Sequence, residues 1–302
     1  MIKKISIIAD SDIGNLIEAL AATGLPVISE YELGRAIFLK LSAPAEERSE
    51  LFRPVIEHLK TLKIFAPLSL GGATNAYQLF GHSATSAQQI ACALDPFAYV
   101  SHLSAMEYHG LTDRFPKILY LTRPPAGEWR LQAEEKMRRD LGNRYEEYLA
   151  SHLPKLVRPK LSKIAQVNLH FQERSQLGAF KHVSGSNLRV ATIGRVFLEM
   201  TREPQLCGGI QHVVDIFSNN AKQYLRLIVD EYEQHGKAID KVRAGYLLTE
   251  VCGLTDSVVE SWVQFAQRGG SRKLDPELEY APEFSERWKL SINVPSLAGH
   301  DE

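Results

Sequence analysis

The sequence predicts an α+β protein in three parts: helices that close on a hairpin near the N-terminus, a mixed strand-containing middle, and an almost wholly helical C-terminal section. Three observations carry this. Apolar residues recur at three- and four-residue spacings before residue 62 and again after residue 192, the period of a helix with one buried face. Between residues 164 and 172 the period falls to two, as in a half-buried strand, with Val167, Leu169 and Phe171 on one side. Turn residues, Gly71-Gly72 above all, punctuate the runs.

The first helix is expected over residues 13–22, capped by Asp12 or Ser11, with Ile13, Leu16, Ile17 and Leu20 inward and with Gly24 and Pro26 ending it. Ser29 with Glu32 makes a capping box, so a second helix starts at Glu30 and buries Leu33, Ala36, Ile37 and Leu41. After a polar break over 42–49, Leu51, Val55, Leu59 and Leu62 share one face of a third helix. At about 100° per residue, the opposite face carries Arg53, Glu57, Lys60 and Thr61. Residues 64–68 read as a strand, Gly71-Gly72 as its turn and 75–80 as the returning strand. That order is a winged helix-turn-helix, expected as a domain over 1–82, with 83–302 as the second domain. In such a fold the third helix and the wing meet the duplex. The DNA-contacting candidates are therefore Arg53, Glu57, Lys60, Thr61, Lys63, Thr74 and Asn75. The same arrangement also serves contacts with proteins, so an adaptor whose helices touch a protein partner stands beside the DNA reading.

Charge separates the parts. Residues 1–82 hold eight Lys and Arg against nine Asp and Glu, which is no electrostatic footprint for phosphate. Residues 83–190 hold 15 against 10, and residues 191–302 hold 12 against 17, a basic middle and an acidic end.

In the middle, helices are expected over 85–94 and 101–108, the latter stopping at Gly110. A strand follows over 117–122, then an exposed, charged helix over 134–153, and strands over 179–183 and 188–191. Thr192 caps a helix over 193–200. Stripes through Ile210 and Phe217, Leu225 and Tyr232, Ile239 and Tyr246, and Val258 and Trp262 then read as core faces of a bundle. From Gly269 an irregular tail leads to a strand over 288–294.

Little points to chemistry. Cys92, Cys207 and Cys252 are too far apart in sequence for a disulfide framework or zinc spacing. The N-terminus has no signal-peptide pattern, and no window reaches the roughly 18 apolar residues of a membrane span, so a cytoplasmic protein is expected. No phosphate-binding loop or dinucleotide fingerprint occurs. Ser101, His102, Ser104 and His109 cluster, but the sequence places only Glu107 near them to orient an imidazole, and that residue is expected to be exposed. Gly185-Ser186 matches the Gly-Ser with which nucleotidyltransferase sites open, but the next acidic residue is Glu199, so the paired aspartates that would hold magnesium are absent. No metal, cofactor or catalytic residue is expected, and the chain reads as a non-enzyme.

The order of parts resembles the AbiEi-type antitoxins of bacterial abortive-infection (type IV) toxin-antitoxin pairs. Beyond the N-terminal helices, the likeness rests on Tyr-Val-Ser-His-Leu-Ser-Ala-Met-Glu-Tyr-His-Gly-Leu at 99–111 with the strand at 117–122. It also rests on Val-Ala-Thr-Ile-Gly-Arg-Val-Phe-Leu-Glu at 190–199 and Arg-Ala-Gly-Tyr-Leu-Leu at 243–248, so it spans residues 10–295. The resemblance implies an antiviral-defence repressor that binds operator repeats in double-stranded DNA upstream of its own operon. It also implies an antitoxin that counters a nucleotidyltransferase-type toxin, by opposing action or by contact, with DNA binding in the first domain and antitoxicity in the second. The chain departs from a basic reader in its acidic 42–49 connection, with Glu46 and Glu47, and in Glu50 just beyond. Docking would lean on Arg53, Lys60, Lys63, the wing tip and middle-section residues such as Arg114, Arg138 and Arg139. So few phosphate contacts per copy predict cooperative binding of several copies.

Overall fold

The computed structural model describes residues 10–42, 44–72, 74–81, 85–267 and 272–297. The first nine residues and the expected start of the tail at Gly269 lie outside them. In chain order the elements are α1 (Asp10–Ala21), β1 (Val27–Ser29), α2 (Glu30–Lys40), α3 (Ala45–Thr61), β2 (Phe65–Pro67), β3 (Leu70–Gly72), β4 (Ala76–Leu79) and α4 (Ala87–Leu94). Next come β5 (Tyr99–Val100), α5 (His102–Tyr108), β6 (Ile118–Arg123), α6 (Ala126–Leu141), α7 (Tyr145–Ala150), β7 (Leu161–Ile164), β8 (Val167–Glu173), β9 (Phe180–His182) and β10 (Arg189–Ala191). The C-terminal part is helical: α8 (Ile193–Arg202), α9 (Ile210–His235), α10 (Ala238–Tyr246) and α11 (Ser257–Ser261), followed by the short pair β11 (Phe284–Ser285) and β12 (Leu290–Ser291). The protein is thus mixed α+β with a helical C-terminal region. No helix among the described residues is long and apolar enough to cross a membrane.

The chain divides into two compact units. One comprises Met1–Ala98, Arg123–Ser175 and His182–Arg189, and the other Tyr99–Thr122, Gln176–Lys181 and Val190–Glu302. The 1–82 segment therefore lies inside a larger first unit.

In the first unit, Ser29 caps α2, its side chain accepting from the Glu32 amide at 3.2 Å, and Leu33, Ala36, Ile37 and Leu41 are buried as the stripe requires, but the Glu32 carboxylate takes Arg35 at 2.9 Å, so the expected capping box is only half made. Two details differ. Helix α1 starts at Asp10, before its expected cap, and Asp12 instead accepts from the Ser42 amide at 3.1 Å. Helix α3 begins at Ala45, inside the segment expected as a polar break, because helix-forming Ala and Glu residues there extend the run. Leu51, Val55 and Leu59 face the core, but Leu62 is 45% exposed at the helix end, where the chain turns through Lys63 at a φ of 55°.

Strands β1, β4 and β2 form an antiparallel three-stranded sheet, with Ile28 opposite Tyr77 and Pro67 also opposite Tyr77 on its other side. The expected turn at Gly71-Gly72 is not a turn. It is β3, and it pairs antiparallel with β7, with Gly71 opposite Lys163 and Gly72 opposite Leu161 across a bulge. The glycines are there for close approach: a Cβ on Gly72 would lie 1.9 Å from the Lys160 carbonyl oxygen.

The expected exposed helix over 134–153 is also corrected. Helices α6 and α7 bury Trp129, Ala133, Met137 and Leu141, four residues apart, and then Tyr145 and Tyr148. Met137, Leu141, Tyr145, Tyr148 and Leu153 complete the same core as Leu16, Ile37, Val55 and Phe65. The Tyr148 ring meets Phe38 edge-on at 5.1 Å and its hydroxyl donates to the Pro154 carbonyl at 2.5 Å. The abundant charges of α6 and α7 lie on the other face, which is why composition alone suggested exposure.

In the second unit, β5 pairs antiparallel with β6, Tyr99 opposite Thr122, and parallel with β10, Val100 opposite Val190. Thr192 caps α8 by accepting from the Arg195 amide at 3.3 Å. Helix α8 is buried from Gly194 to Thr201, and a Cβ on Gly194 would stand 2.2 Å from the Leu227 carbonyl of α9, so glycine is what lets the two helices approach. The two apolar stripes at 210–217 and 225–232 belong to the one 26-residue helix α9. Of the strand expected over 288–294, only β12 pairs.

Candidate nucleic-acid interface

Helix α3 turns its apolar stripe inward, and this rotation alone decides the rest of its surface. Arg53, Glu57 and Thr61 are exposed and Lys60 half-buried, so the face expected to read DNA is open to solvent. It is not a free row of donors. Lys60 Nζ lies 2.8 Å from Glu57 Oε1, and the Thr61 hydroxyl donates to the Glu57 carbonyl at 2.9 Å. Such an exposed pair is worth at most about 1 kcal/mol, so a phosphate could draw Lys60 away. Among the described residues, Arg53 and Lys63 have no carboxylate partner.

The other two candidates are held within the first unit. The Thr74 hydroxyl accepts from the Lys160 amide at 3.0 Å, and Asn75 donates to Glu30 Oε1 at 3.1 Å. The end of β3 is paired to β7 and is not a free hairpin tip.

That tether brings in residues the local pattern did not single out. The stretch 148–172 contains Lys155, Arg158, Lys160 and Lys163 and no Asp or Glu. It supplies β7 and the extended segment before it. Lys155 and Lys160 are exposed, with no carboxylate partner among the described residues. Counted over the whole first unit, 20 Lys and Arg stand against 17 Asp and Glu, a net of +3, and the second unit has 15 against 19, a net of −4. The unit that contains α3 is thus cationic, although its first 82 residues are not. The acid-free run was the available signal.

No family model matches the chain, and no curated protein matches it. Among solved structures it is similar to the RV2827C protein from Mycobacterium tuberculosis at 12% identity, over 92% of this chain and 90% of that one, with a TM-score of 0.48.

Of the middle-section cations, Arg138 pairs with Glu134 at 2.9 Å and stacks on Tyr145, Arg139 is exposed, and Arg114 of the second unit donates to the Gly208 carbonyl at 2.9 Å.

The histidine cluster is corrected in one respect. Glu203 Oε2 stands 2.9 Å from His102 Nε2, Ser101 Oγ stands 2.8 Å from Nδ1, and the His102 amide donates to Glu199 at 2.8 Å. A carboxylate about 100 residues away in sequence, Glu203, thus meets the imidazole for which the local sequence offered only Glu107, while Glu199 holds the His102 backbone. Ser101 and His102 are fully buried, while the Glu203 side chain is 12% exposed. Beside it, Arg195 lies 3.3 Å from Glu199 and 3.7 Å from Glu231. Burial opposes the Arg195 charge, but Tyr99, Glu199 and Glu231 outweigh it and hold the guanidinium protonated. Burial pushes the Glu231 carboxyl up despite Arg195. Gly185-Ser186 forms a turn, Ser186 Oγ accepting from Gln89 at 3.2 Å.

Proposed function

We propose that the protein is a DNA-binding transcriptional autorepressor and antitoxin without enzymatic activity of its own, and that residues 10–80 act as a winged helix-turn-helix. The observation that carries this reading is the open polar face of α3, set by the burial of Leu51, Val55 and Leu59 on the other side. The order of α1, β1, α2, α3, β2 and β4 supports it, as do the net charge of +3 on the first unit and the resemblance of the stretches at 99–111, 190–199 and 243–248 to AbiEi-type antitoxins. In this reading Arg53 and Thr61 face base edges, while Lys60, released from Glu57, and Lys63 take phosphates. The tethered β3 end presents a fixed edge to the adjoining backbone. Few charges per copy make binding cooperative along operator repeats.

The test is a shift assay with the full chain on DNA from immediately upstream of its own gene, over a range of salt. Each of Arg53→Ala and Lys63→Ala is expected to weaken binding, and loss of a phosphate contact to lower the salt slope by about 1. No binding at low salt, or binding indifferent to both changes, would remove the DNA reading. Antitoxin activity is tested by co-expression with the product of the adjacent gene and scoring growth.

The Glu57–Lys60 pair favours a second reading, an adaptor of a defence locus. It leaves the centre of the α3 face neutral, as suits a protein partner. Capture of a neighbour-encoded protein, lost on Glu57→Arg and without DNA binding, would select it.

A further inference from the structure

A groove of about 530 Å³ opens in the first unit between Gly72 at the end of β3, the start of α6 and the segment from Arg158 to Ser162. Three cationic residues, Arg123, Arg158 and Lys160, line it, and among its described lining residues there is no carboxylate. The acids that pair with the arginines stand elsewhere. Asp95 Oδ2 is 3.3 Å from Arg123 Nη1, and Glu173 pairs with Arg158, and neither carboxylate lines the groove. Phe171 fixes the Arg123 guanidinium by stacking at 3.9 Å.

Two further features make the groove electropositive. Helix α6 begins in it at Ala126, sixteen residues long, and its N-cap is Pro125, which has no side-chain oxygen to cover the first amides. The positive end of the helix therefore faces the groove, the arrangement that favours an anion, and Glu128 of its first turn is not part of the lining. Burial depresses the Arg123 pKa, and the neighbouring Arg158 charge adds to this against Asp95 and Glu173, so two guanidiniums stand close together while the carboxylate that pairs with each lies outside the groove lining. The room lies within the several hundred Å³ usual for small-molecule sites, and the glycine at 72 lets β3 close against the Lys160 backbone that forms one wall of it.

We propose that this groove binds a phosphate group, held by Arg123, Arg158 and Lys160 and by the first amides of α6. The phosphate belongs either to a small phosphorylated molecule such as a nucleotide or to a nucleic-acid backbone that passes the β3 edge. The site stands on its own lining and does not require that α3 read DNA.

The experiment is calorimetric titration of the full chain, at low ionic strength, with inorganic phosphate and with adenosine monophosphate, followed by competition of the nucleotide against a fluorescent DNA duplex. Saturable binding is expected, weakened about tenfold or more by Lys160→Glu and kept by Lys160→Arg. Lys160 is exposed, so Lys160→Glu is expected to unfold at the same temperature as the parent. Displacement of duplex by the nucleotide would assign the site to a nucleic-acid backbone, and nucleotide binding without displacement to a small phosphorylated molecule. Absence of saturable binding by both probes, or affinity unchanged in both Lys160→Glu and Arg158→Gln, would overturn the proposal.

Discussion

Gly72 and Lys160 approach so closely that a Cβ on the glycine would stand 1.9 Å from the lysine's carbonyl oxygen. The contact joins a turn-like dipeptide near the N-terminus to a strand that begins nearly 90 residues later, and it turns an expected hairpin tip into the edge of a sheet. Gly72 also has a φ of 126°, where an L side chain is strained irrespective of space.

Gly72→Ala should therefore destabilise the protein by about 3 kcal/mol, combining overpacking with backbone strain. Gly81→Ala is the control. Its φ is 92° but nothing lies within 4 Å of the place its new methyl would take, so strain alone, about 1 kcal/mol, should be lost. Urea unfolding of both variants checks this, and equal losses would show that the β3–β7 approach is not needed.

Asp95 is fully buried and accepts from Trp129 Nε1 at 2.9 Å and from the Phe97 amide at 3.2 Å, while also pairing with Arg123. Asp95→Ala should cost about 3–5 kcal/mol, because it leaves a half-buried guanidinium uncompensated. Trp129→Phe keeps the ring's burial and loses one hydrogen bond, so about 1–2 kcal/mol is expected. Thermal denaturation that ranked Trp129→Phe as the worse variant would contradict this reading.

Glu147 gives a pH dependence with a definite sign. The Arg144 hydrogen bond first, and then Arg48, hold its carboxyl down from an ordinary 4.5 to about 2. Its folded pKa is depressed, so its contribution is complete above about 4.5 and is lost as pH falls toward 2. Glu147→Gln should flatten this part of the melting temperature profile, and high salt should shrink the difference because the group is exposed. A profile identical to the parent between pH 5 and 2 would refute it.

Gly34 sits under Tyr148, where a Cβ would meet the phenol oxygen at 2.9 Å and Pro154 Cδ at 3.1 Å. Gly34→Ala should destabilise by about 1–3 kcal/mol, and Tyr148→Phe in the same chain should recover part of that loss. A double-mutant cycle measures the recovery, and strict additivity would mean that α2 and α7 are not in register as described.

What the sequence determined by itself is local. Ser29 and Thr192 cap the helices they were expected to cap, and Leu33, Ile37, Val55 and Leu59 face inward, because caps and stripes depend on neighbours within about four residues. The exposure of Arg53 and Glu57 follows from the same stripe. The tertiary structure decided what lies far apart along the chain. It joined β3 to β7, closed the N-terminal core with Met137, Tyr145 and Tyr148, met His102 with Glu199 and Glu203, and gathered Arg123, Arg158 and Lys160 around one groove. The physical reason is that a residue's type states whether it wants burial or a counter-charge, while only the packing of whole elements chooses which distant residue supplies it.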